Sequence, residues 1–545
     1  MCKIESVTLA VAKNVENNLS GQGSVRIVGS DALARVRAWL IDNDYAESVD
    51  RVSAKGTPDD AAAARSASEL PAVRLLSSGS PLTMAEATTI FAHEDLQIWI
   101  DSGLLAKEED RVEPLVKITP HRNLFVVSDR DWADEAASRP DVVMGLASSS
   151  TWLADFTIRR DSDCTLDLGT GTGVQAMLAS RHSKQVVATD INPRALEFAR
   201  FNAALNGIDN IEFVEGDMFD AVEGRTFDLI VCNPPFSISP ASTCLYRDNP
   251  GDGDGFVKRI IQTAPKFLSN DGYAQILCNW VQSSGESWTE RMSDWLKPTG
   301  CNAWIVRGKT FSPADYARQW LKGYDASNVE KLFGDWMSYY EQQGITSIDG
   351  GLITMRQSDR QPNWLRIDAN LPRIFPDAGA HVARCFWLQD VLDRMPGHEL
   401  LNEILYLSPS VELTQISKPS ITGWQLQSCQ LTMTRGIAYT VRLDPMIARV
   451  VAACNGRQQL GRLLQAVAIA DGEDLNVIVT RYLGALRRLV TLGFLWPARH
   501  GFEKDFVAAD SKPTREMLEE ERLATDVVVA DMNVQGCDEK EALSA

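Results

Sequence analysis

Between residues 164 and 232 the sequence alternates short apolar segments with longer amphipathic ones. Four segments have the length and residue types of β-strands, and these are 164–168, 186–189, 211–214 and 227–232. Two helices are predicted between them, at 174–181 and 193–205. Strands that alternate with helices form a parallel sheet that is covered by helices on both faces. The sequence therefore predicts an α/β fold for this part of the chain.

The first predicted strand runs directly into a glycine-rich turn. Residues 167–173 read Asp-Leu-Gly-Thr-Gly-Thr-Gly, and a helix is predicted to begin after them. Glycines allow a tight turn and let the backbone approach a ligand, and the helix N-terminus adds free N–H groups. The dinucleotide-binding fingerprint needs a third glycine where Val174 stands, and the chain has no Gly-Lys-Ser or Gly-Lys-Thr of a phosphate-binding loop. The turn therefore predicts a ligand-binding loop of another kind.

Polar motifs also follow the other three predicted strands. Asp190 ends the second strand, where a carboxylate can accept both hydroxyls of a ribose. Residues 216–218 (Gly-Asp-Met) follow the third strand, where an acid and an apolar side chain can flank an adenine ring. Residues 233–236 (Asn-Pro-Pro-Phe) follow the fourth strand. Open α/β sheets bind ligands at the C-terminal ends of their strands, so the four motifs together predict one site.

With these motifs in this order, the chain resembles the class I S-adenosylmethionine-dependent methyltransferases, in the branch that carries Asn-Pro-Pro-Phe or Asn-Pro-Pro-Tyr. That branch includes ribosomal RNA guanine exocyclic-amine, adenine amine and release-factor glutamine methyltransferases. The resemblance covers residues 143–300 and implies a Rossmann-like sheet and S-adenosylmethionine as the cofactor. The implied cofactor-binding residues are Asp167, Gly169, Thr170, Gly171, Gly173, Asp190, Ile191, Asp217, Met218 and Asn233. The implied catalytic residues are Asn233, Pro234, Pro235 and Phe236.

The Asn-Pro-Pro-Phe motif suits methylation of a planar amine or amide nitrogen. Such a nitrogen is a poor nucleophile because its lone pair is delocalised. The side-chain carbonyl of Asn233 and the backbone carbonyl of Pro234 can accept its N–H groups and favour a pyramidal nitrogen. The two prolines stiffen the loop and offer no competing N–H donor, and Phe236 can stack on a planar substrate. Positioning therefore supplies much of the expected catalysis.

Four regions are predicted along the chain. Residues 1–140 form an N-terminal α+β accessory domain, and residues 141–356 form the methyltransferase domain. Residues 357–500 form a C-terminal accessory domain. Residues 501–545 carry 12 acidic and 5 basic side chains, which predicts a disordered tail or a solvated helix.

Both accessory domains have an order of elements that is typical of winged-helix-like modules. In the first, helices at 83–91 and 94–105 precede strands at 113–118 and 124–128. In the second, residues 443–497 read as three helices and a strand. The alternative is an α+β extension that simply packs on its neighbour.

Charge bears on the choice of substrate. The chain has 54 basic and 73 acidic residues, a net charge of −19, and such a surface repels polyanions at long range. A local basic groove remains compatible with this charge. The phenylalanine of the motif and the winged-helix-like regions favour an exocyclic amine of a base in ribosomal or other RNA, which we rank first. The acidic balance favours the alternative, a glutamine of a translation release factor. An inactive, cofactor-binding adaptor is a third hypothesis, against which the intact motif argues.

Cysteine and histidine patterns predict no metal centre. The ten cysteines contain no Cys-x-x-Cys pair, and the six histidines contain no His-Glu-x-x-His. No apolar run reaches the length of about 18 residues that predicts a transmembrane helix. Residues 1–22 lack the apolar core of a secretory signal. We therefore expect a cytoplasmic protein.

Overall fold

The computed structural model describes residues 24–53, 64, 66–130, 141–240, 253–322, 326–358, 362–395, 397–421 and 423–498. The chain divides into two compact units, one with the residues up to 154 together with 161–371, the other with 155–160 together with the residues from 372 onward. The expectations for the first 22 residues and for the acidic tail lie outside the described residues. All residues predicted for the ligand site belong to the first unit.

The first unit begins with helices and small sheets. Its elements up to residue 128 are α1 (Ser30–Asp42), α2 (Tyr45–Ser53), α3 (Pro71–Leu76), β1 (Leu82–Thr83), α4 (Met84–Ile90), α5 (His93–Asp101), β2 (Leu105–Glu108), β3 (Arg111–Pro114), β4 (Lys117–His121) and β5 (Leu124–Ser128). β3 lies between β1 and β2 and is antiparallel to both. The segment from α3 to β3 therefore has the winged-helix topology, in which a helix, a strand, two helices and a hairpin follow one another.

The hairpin of this module differs from the predicted one. β2 is a strand where the sequence predicts the end of a helix, because α5 ends at Asp101 and the chain turns at Gly103, whose φ is 71°. A Cβ at Gly103 would lie 2.5 Å from the carbonyl oxygen of Ser24, so only glycine fits this sharp turn. The predicted strand 113–118 is divided between β3 and β4, and β4 pairs with β5 in a separate two-stranded sheet. The wing is therefore β2–β3.

A large mixed sheet forms the rest of the first unit. The elements from residue 148 to 368 are α6 (Ser148–Phe156), β6 (Ser162–Leu168), α7 (Val174–Ala179), β7 (Ser183–Asp190), α8 (Pro193–Leu205), β8 (Ile211–Glu215), β9 (Phe227–Cys232), α9 (Gly255–Thr263), β10 (Leu268–Ser283), α10 (Trp288–Leu296), β11 (Cys301–Phe311), α11 (Pro313–Trp320), α12 (Ala326–Gln342), β12 (Ile345–Gln357) and β13 (Leu365–Asp368). Its eight strands are ordered β13-β11-β12-β10-β9-β6-β7-β8. The strands and helices predicted between residues 164 and 232 are all present.

One strand outside the predicted segment 164–232 runs in the opposite direction to the rest of the sheet. β12 is antiparallel to both β10 and β11, whereas the other pairings in this sheet are parallel. A buried apolar strand does not encode the direction of its neighbour, so the alternation over 164–232 could not predict this reversal. The carboxyl ends of β6, β7, β8 and β9 nevertheless meet at one edge, as expected.

β13 extends the first unit beyond the expected boundary at residue 356. It pairs in parallel with β11, where Ala303 lies opposite Leu365. Asp368 accepts a hydrogen bond from Nε1 of Trp304 at 3.0 Å, and the guanidinium of Arg366 lies 3.9 Å over the ring of Trp304. Because these contacts attach β13 to the sheet, the first unit continues to residue 371.

The N-terminal helices and α8, which covers the large sheet, share one apolar core. Phe198 and Phe201 of α8 are buried in the same cluster as Trp39, Phe91 and Trp99. Trp39 stacks on Phe91 at 4.5 Å between ring centroids and meets Trp99 edge-on at 5.3 Å. Aromatic pairs at these separations add to the free energy gained by burial. The winged-helix module is therefore part of the first unit and not a separate body.

The second unit is built around a second winged-helix arrangement. Its elements are α13 (Ala378–Asp393), β14 (Ile404–Leu407), β15 (Val411–Ser420), β16 (Gly423–Met433), β17 (Thr440–Leu443), α14 (Pro445–Ala452), β18 (Asn455–Gln459), α15 (Leu460–Asp471), α16 (Leu475–Thr491) and β19 (Leu495–Pro497). β14 lies between β18 and β19, so the third strand of this module comes from earlier in the chain. β15, β16 and β17 form a separate antiparallel sheet. Among the described residues of both units, no helix is long and apolar enough to cross a membrane.

Candidate active site

A cavity of about 480 Å³ lies at the carboxyl ends of β6, β7, β8 and β9. Its volume is in the range of small-molecule sites. The predicted residues that line it are Asp167, Gly169, Thr170, Gly171, Asp190, Ile191, Met218, Asn233, Pro234, Pro235 and Phe236. Two predicted cofactor-binding residues, Gly173 and Asp217, do not line this cavity. The fold thus brings the motifs of four separate strand ends to one place.

The glycine turn presents open backbone to the cavity. Gly169 and Gly171 have φ of 75° and 55°, and a Cβ at either position would meet nothing within 4 Å. Gly173 has another role, because a Cβ there would lie 3.0 Å from Cβ of Ala199 on α8. Gly169 and Gly171 therefore leave space for a ligand, whereas Gly173 permits close packing of the turn against α8.

Asp167 holds the glycine turn from inside. Its Oδ2 accepts hydrogen bonds from Oγ1 of Thr170 at 2.6 Å and from the backbone N–H of Ala176 at 2.9 Å. The second bond satisfies a free N–H at the start of α7. Burial disfavours the charged form and raises the pKa of Asp167 to about 6. Asp167 is thus a buried carboxyl in the cavity wall. A cation bound in the cavity would favour its charged form.

Asp190 connects the end of β7 to the glycine turn. Its Oδ2 accepts the backbone N–H of Gly171 at 2.9 Å, and its Oδ1 accepts the backbone N–H of Asn192 at 2.9 Å. Burial raises the pKa of this carboxyl as well. Each carboxylate oxygen has a second lone pair, so Asp190 can still accept hydrogen bonds from a ligand in the cavity. Ile191 adds an apolar side chain to the same wall.

Thr189 is a cavity residue that sequence reasoning missed. Its Oγ1 is buried and has no hydrogen-bond partner among the described residues, although it lines the cavity. Buried hydroxyls usually have a partner, so this atom is suited to a polar group of a ligand. Its position immediately before Asp190 on an apolar strand is the only sequence signal that could have indicated it.

The end of β8 contributes Gly216 and Met218. A Cβ at Gly216 would lie 2.8 Å from Cβ of Ala221, so a larger residue would displace the following turn. Met218 has a φ of 44° and lines the cavity, as predicted for an apolar side chain beside a ring. Asp217 is exposed and does not line the cavity.

The side chain of Asn233 is held by α6. Its Nδ2 donates a hydrogen bond to Oγ of Ser150 at 3.3 Å. This bond does not use Oδ1, the acceptor atom of the carboxamide. Ser150 is itself held, because Nε2 of Gln175 donates to its backbone carbonyl at 2.8 Å. Ser150 and Gln175 also line the cavity. The carboxamide of Asn233 therefore has a defined orientation, with its donor side on Ser150.

Two tyrosines hold the chain that leaves the motif. The backbone N–H of Ile238 donates to the hydroxyl of Tyr316 at 3.2 Å, and the hydroxyl of Tyr340 donates to the carbonyl of Ile238 at 2.9 Å. Nδ2 of Asn279 also donates to the Tyr316 hydroxyl, at 2.6 Å. Burial raises the pKa of Tyr316 to about 12, so this hydroxyl remains neutral. These contacts limit the movement of the loop that carries Asn233.

α11 closes one side of the cavity. Trp320 meets Phe236 edge-on, with ring centroids 6.3 Å apart, and Gln319 and Lys322 also line the cavity. Sequence reasoning missed these residues because they follow Phe236 by more than eighty positions and only the fold brings them together. Phe236 and Trp320 form an aromatic wall beside Asn233.

The described residues fit S-adenosylmethionine. The cofactor carries a positive charge, an adenine and a ribose, and the cavity offers the two carboxyls of Asp167 and Asp190, an apolar side chain at Met218 and the unpaired hydroxyl of Thr189. The eight-stranded sheet, the glycine turn and the Asn-Pro-Pro-Phe loop at its edge define a class I S-adenosylmethionine-dependent methyltransferase. Residues 146–295 match the family model "Methyltransferase small domain". The chain belongs to this family of small-domain methyltransferases, and its methyl donor is S-adenosylmethionine.

Similar proteins are named as protein glutamine methyltransferases. A Methanocaldococcus jannaschii protein, provisionally named a protein N5-glutamine methyltransferase, is 36% identical over 30% of this chain and 81% of its own length. A release factor glutamine methyltransferase of Xylella fastidiosa is 33% identical over 22% of this chain and 47% of its own length. A ribosomal protein uL3 glutamine methyltransferase of Bordetella pertussis is 38% identical over 20% of this chain and 40% of its own length. The chain thus spans less than half of the latter two relatives.

Two further matches concern fold and the second unit. A solved methyltransferase of Pyrococcus furiosus is 16% identical and covers 38% of this chain and 82% of its own, with a TM-score of 0.25. Residues 379–497 match "Domain of unknown function (DUF7782)", which corresponds to most of the second unit.

Proposed function

We propose that this methyltransferase acts on a protein, on the side-chain amide nitrogen of a glutamine in a translation factor or ribosomal protein. This is the alternative of the sequence analysis, and it now ranks above the RNA base. The names of the similar proteins support it, since they refer to glutamine in release factors and in uL3. The observation that carries the transfer to an N–H-bearing nitrogen is the orientation of Asn233, whose amide donor is engaged by Ser150.

An amide nitrogen becomes a nucleophile only when its lone pair is no longer delocalised into the carbonyl group. Oδ1 of Asn233 and the backbone carbonyl of Pro234 accept the two N–H groups of the substrate amide and favour its pyramidal form. Ser150 holds Nδ2 of Asn233 away from the substrate. If Nδ2 faced the substrate amide, two N–H donors would meet and repel each other. When bound, the cofactor would supply an electrophilic methyl group from its sulfonium and would leave as S-adenosylhomocysteine, and the methylated nitrogen would release its proton to water.

The surrounding loop contributes rigidity instead of acid–base chemistry. Pro234 and Pro235 fix the backbone, and the tyrosine hydroxyls on Ile238 hold the chain beyond them. Phe236 and Trp320 form the aromatic wall on which a planar amide can rest. Holding reactants in an aligned geometry is itself a large source of rate.

The charge on the first winged-helix module favours a protein over a nucleic acid. α5 occupies the position of the recognition helix, and its exposed residues include Glu94 and Asp101. The turn of the wing exposes Glu108, Glu109 and Asp110. Acidic side chains repel phosphates, whose neutralisation supplies most non-specific affinity for nucleic acid. Lys107 and Arg111 are also exposed in the wing, but the exposed acidic residues of the helix and the wing outnumber them, which disfavours RNA docking.

The second winged-helix module offers few free cations on its long helix. Arg487 of α16 donates to the backbone carbonyls of Met395 and Leu392, at 2.8 and 3.0 Å. Arg481 pairs with Glu473 at 3.1 Å. Two arginines of this helix are thus engaged within the chain. This observation also supports a protein acceptor.

The test is to incubate the full chain with labelled S-adenosylmethionine and three purified acceptors from the same organism. The acceptors are a release factor, ribosomal protein uL3 and deproteinised ribosomal RNA. We expect label on one of the proteins, which mass spectrometry locates on a glutamine, and none with Asn233→Ala. Label on the RNA alone, or on no acceptor, would contradict the proposal.

A further inference from the structure

The strands β15 and β16 extend beyond the body of the second unit as a two-stranded ribbon. We call residues 413–421 and 423–428 the arm. Along the arm most residues are exposed, and four of them are large and apolar: Leu413 (39% exposed), Ile416 (53%), Ile421 (106%) and Trp424 (78%). An isolated two-stranded ribbon is at best marginally stable in water, so this exposed apolar surface needs an explanation.

One face of the arm continues the buried face of the sheet. At the base, Cys429, Leu431 and Met433 of β16 are buried and lie opposite Gln415, Leu413 and Val411 of β15. Side chains that are two residues apart on a strand share a face. On β15 the same face therefore continues to positions 417 and 419, which pair with Leu426 and Trp424 beyond a bulge at position 427. An apolar stripe thus leaves the core and runs to the exposed Trp424.

The arm carries almost no charge. Lys418 is its only charged residue, in a chain whose net charge is −19. Binding to nucleic acid or to an anionic membrane depends on clusters of Lys and Arg, which the arm does not have. The centre of a protein–protein interface, by contrast, is depleted of charge and enriched in tryptophan, and the arm has this composition. Its surface therefore suits an apolar, uncharged groove on a protein.

The size of the arm favours a transient partner over a second copy of this chain. The five residue pairs within the arm make a ribbon about 17 Å long and about 10 Å wide on one face. Its face of roughly 170 Å² is well below the roughly 800 Å² per partner of a stable interface. Two copies would also bring together surfaces of the same negative charge. The small area of the arm and the negative charge of the chain therefore both favour a transient complex with another protein.

We propose that the arm is a docking element for the acceptor protein, which it meets at an apolar, uncharged groove centred on Trp424. The identity of the partner as the methyl acceptor rests on the proposed function above. Docking by the arm would select the whole folded acceptor, and the cavity of the first unit would then select the glutamine. A short peptide that contains only the glutamine would not use the arm.

The test compares Trp424→Ser with a matched control in the same unit. Ile469 on α15 is a comparably exposed apolar residue, at 74%, so Ile469→Ser removes similar surface elsewhere. The acceptors are the release factor or uL3, whichever is labelled, and a short peptide that carries its labelled glutamine. For the folded acceptor we expect Trp424→Ser to raise KM at least about tenfold with kcat nearly unchanged, the scale of a buried tryptophan anchor. Ile469→Ser, and Trp424→Ser with the peptide, should match the wild type.

Several results would overturn the arm proposal. One is an unchanged KM for the folded acceptor with Trp424→Ser, and another is an equal loss with Ile469→Ser or with the peptide. A dimer in solution that Trp424→Ser converts to a monomer would identify a second copy as the occupant. If no protein is labelled at all, the proposed function itself fails, and the arm proposal fails with it. If a protein is labelled and only the Trp424 result is negative, the arm proposal alone fails.

Discussion

Replacement of Ser150 by alanine should slow methyl transfer without weakening cofactor binding. The change deletes only the hydroxyl that accepts Nδ2 of Asn233, at 3.3 Å. It leaves the backbone carbonyl that Gln175 donates to, so the position of α6 should be preserved. Without the hydroxyl, the carboxamide of Asn233 can rotate by half a turn and present its donor to the substrate.

The expected loss follows from the geometry of this bond. A separation of 3.3 Å is at the long end for a hydrogen bond, so its loss should cost about 0.5–1 kcal/mol. The freed carboxamide of Asn233 also has two orientations, of which one is productive. Because the hydrogen bond is what favours the productive orientation, its loss and the new freedom are one effect, which predicts a fall in transfer rate of about two- to fivefold. Ser150→Thr retains the hydroxyl and should recover most of the rate.

Single-turnover transfer of a labelled methyl group, measured beside calorimetric titration of S-adenosylmethionine, separates rate from cofactor affinity. Ser149→Ala is the matched control, because Ser149 lines the same cavity and has no hydrogen bond to Asn233. A wild-type rate for Ser150→Ala would refute the reasoning, and so would an equal fall for Ser149→Ala. A fall that appears only as weaker cofactor binding would place Ser150 in the cofactor site instead.

Four further changes test other parts of the site. Asn233→Ala should lower single-turnover transfer by about a hundredfold with unchanged cofactor affinity, since its contact strengthens in the transition state, while Asn233→Asp should retain some activity. Asp190→Ala should weaken cofactor binding about tenfold or more by calorimetry, because a hydrogen bond to a charged group is lost. The pKa of Asp167 is raised to about 6, so this carboxyl becomes anionic as pH rises. Affinity for the cationic cofactor should therefore increase between about pH 5 and about pH 8. The increase should be smaller in Asp167→Asn. Gly173→Ala should lower the thermal midpoint, because its φ of 82° and the close contact with Ala199 both disfavour a Cβ.

Local chemistry in the sequence determined the elements that build the site. The helix Pro193–Leu205 has the predicted bounds because Asn192 accepts the N–H of Arg194, Pro193 suits the first position, and Gly207 ends the helix with a φ of 68°. The glycine turn and the strand Phe227–Cys232 were equally predictable, since caps, glycines and apolar runs act over a few residues. The general rule for open α/β sheets then placed their ends at one edge. The fold class and the cofactor site followed from these local signals.

The tertiary structure alone decided which distant residues complete the site. Ser150 and Trp320 have no local sequence feature that relates them to the Asn-Pro-Pro-Phe motif. Ser150 contacts Asn233, and Trp320 contacts Phe236, only because α6 and α11 pack beside the loop. The wing was misplaced for a similar reason, because β2 is defined by its pairing with β3 and by the close approach of Gly103 to the Ser24 carbonyl, neither of which is local. The reversed direction of β12 and the exposure of the arm also depend on pairing and packing between distant segments. Such contacts depend on loop closure and complementary surfaces, which a pattern of neighbouring residues does not encode.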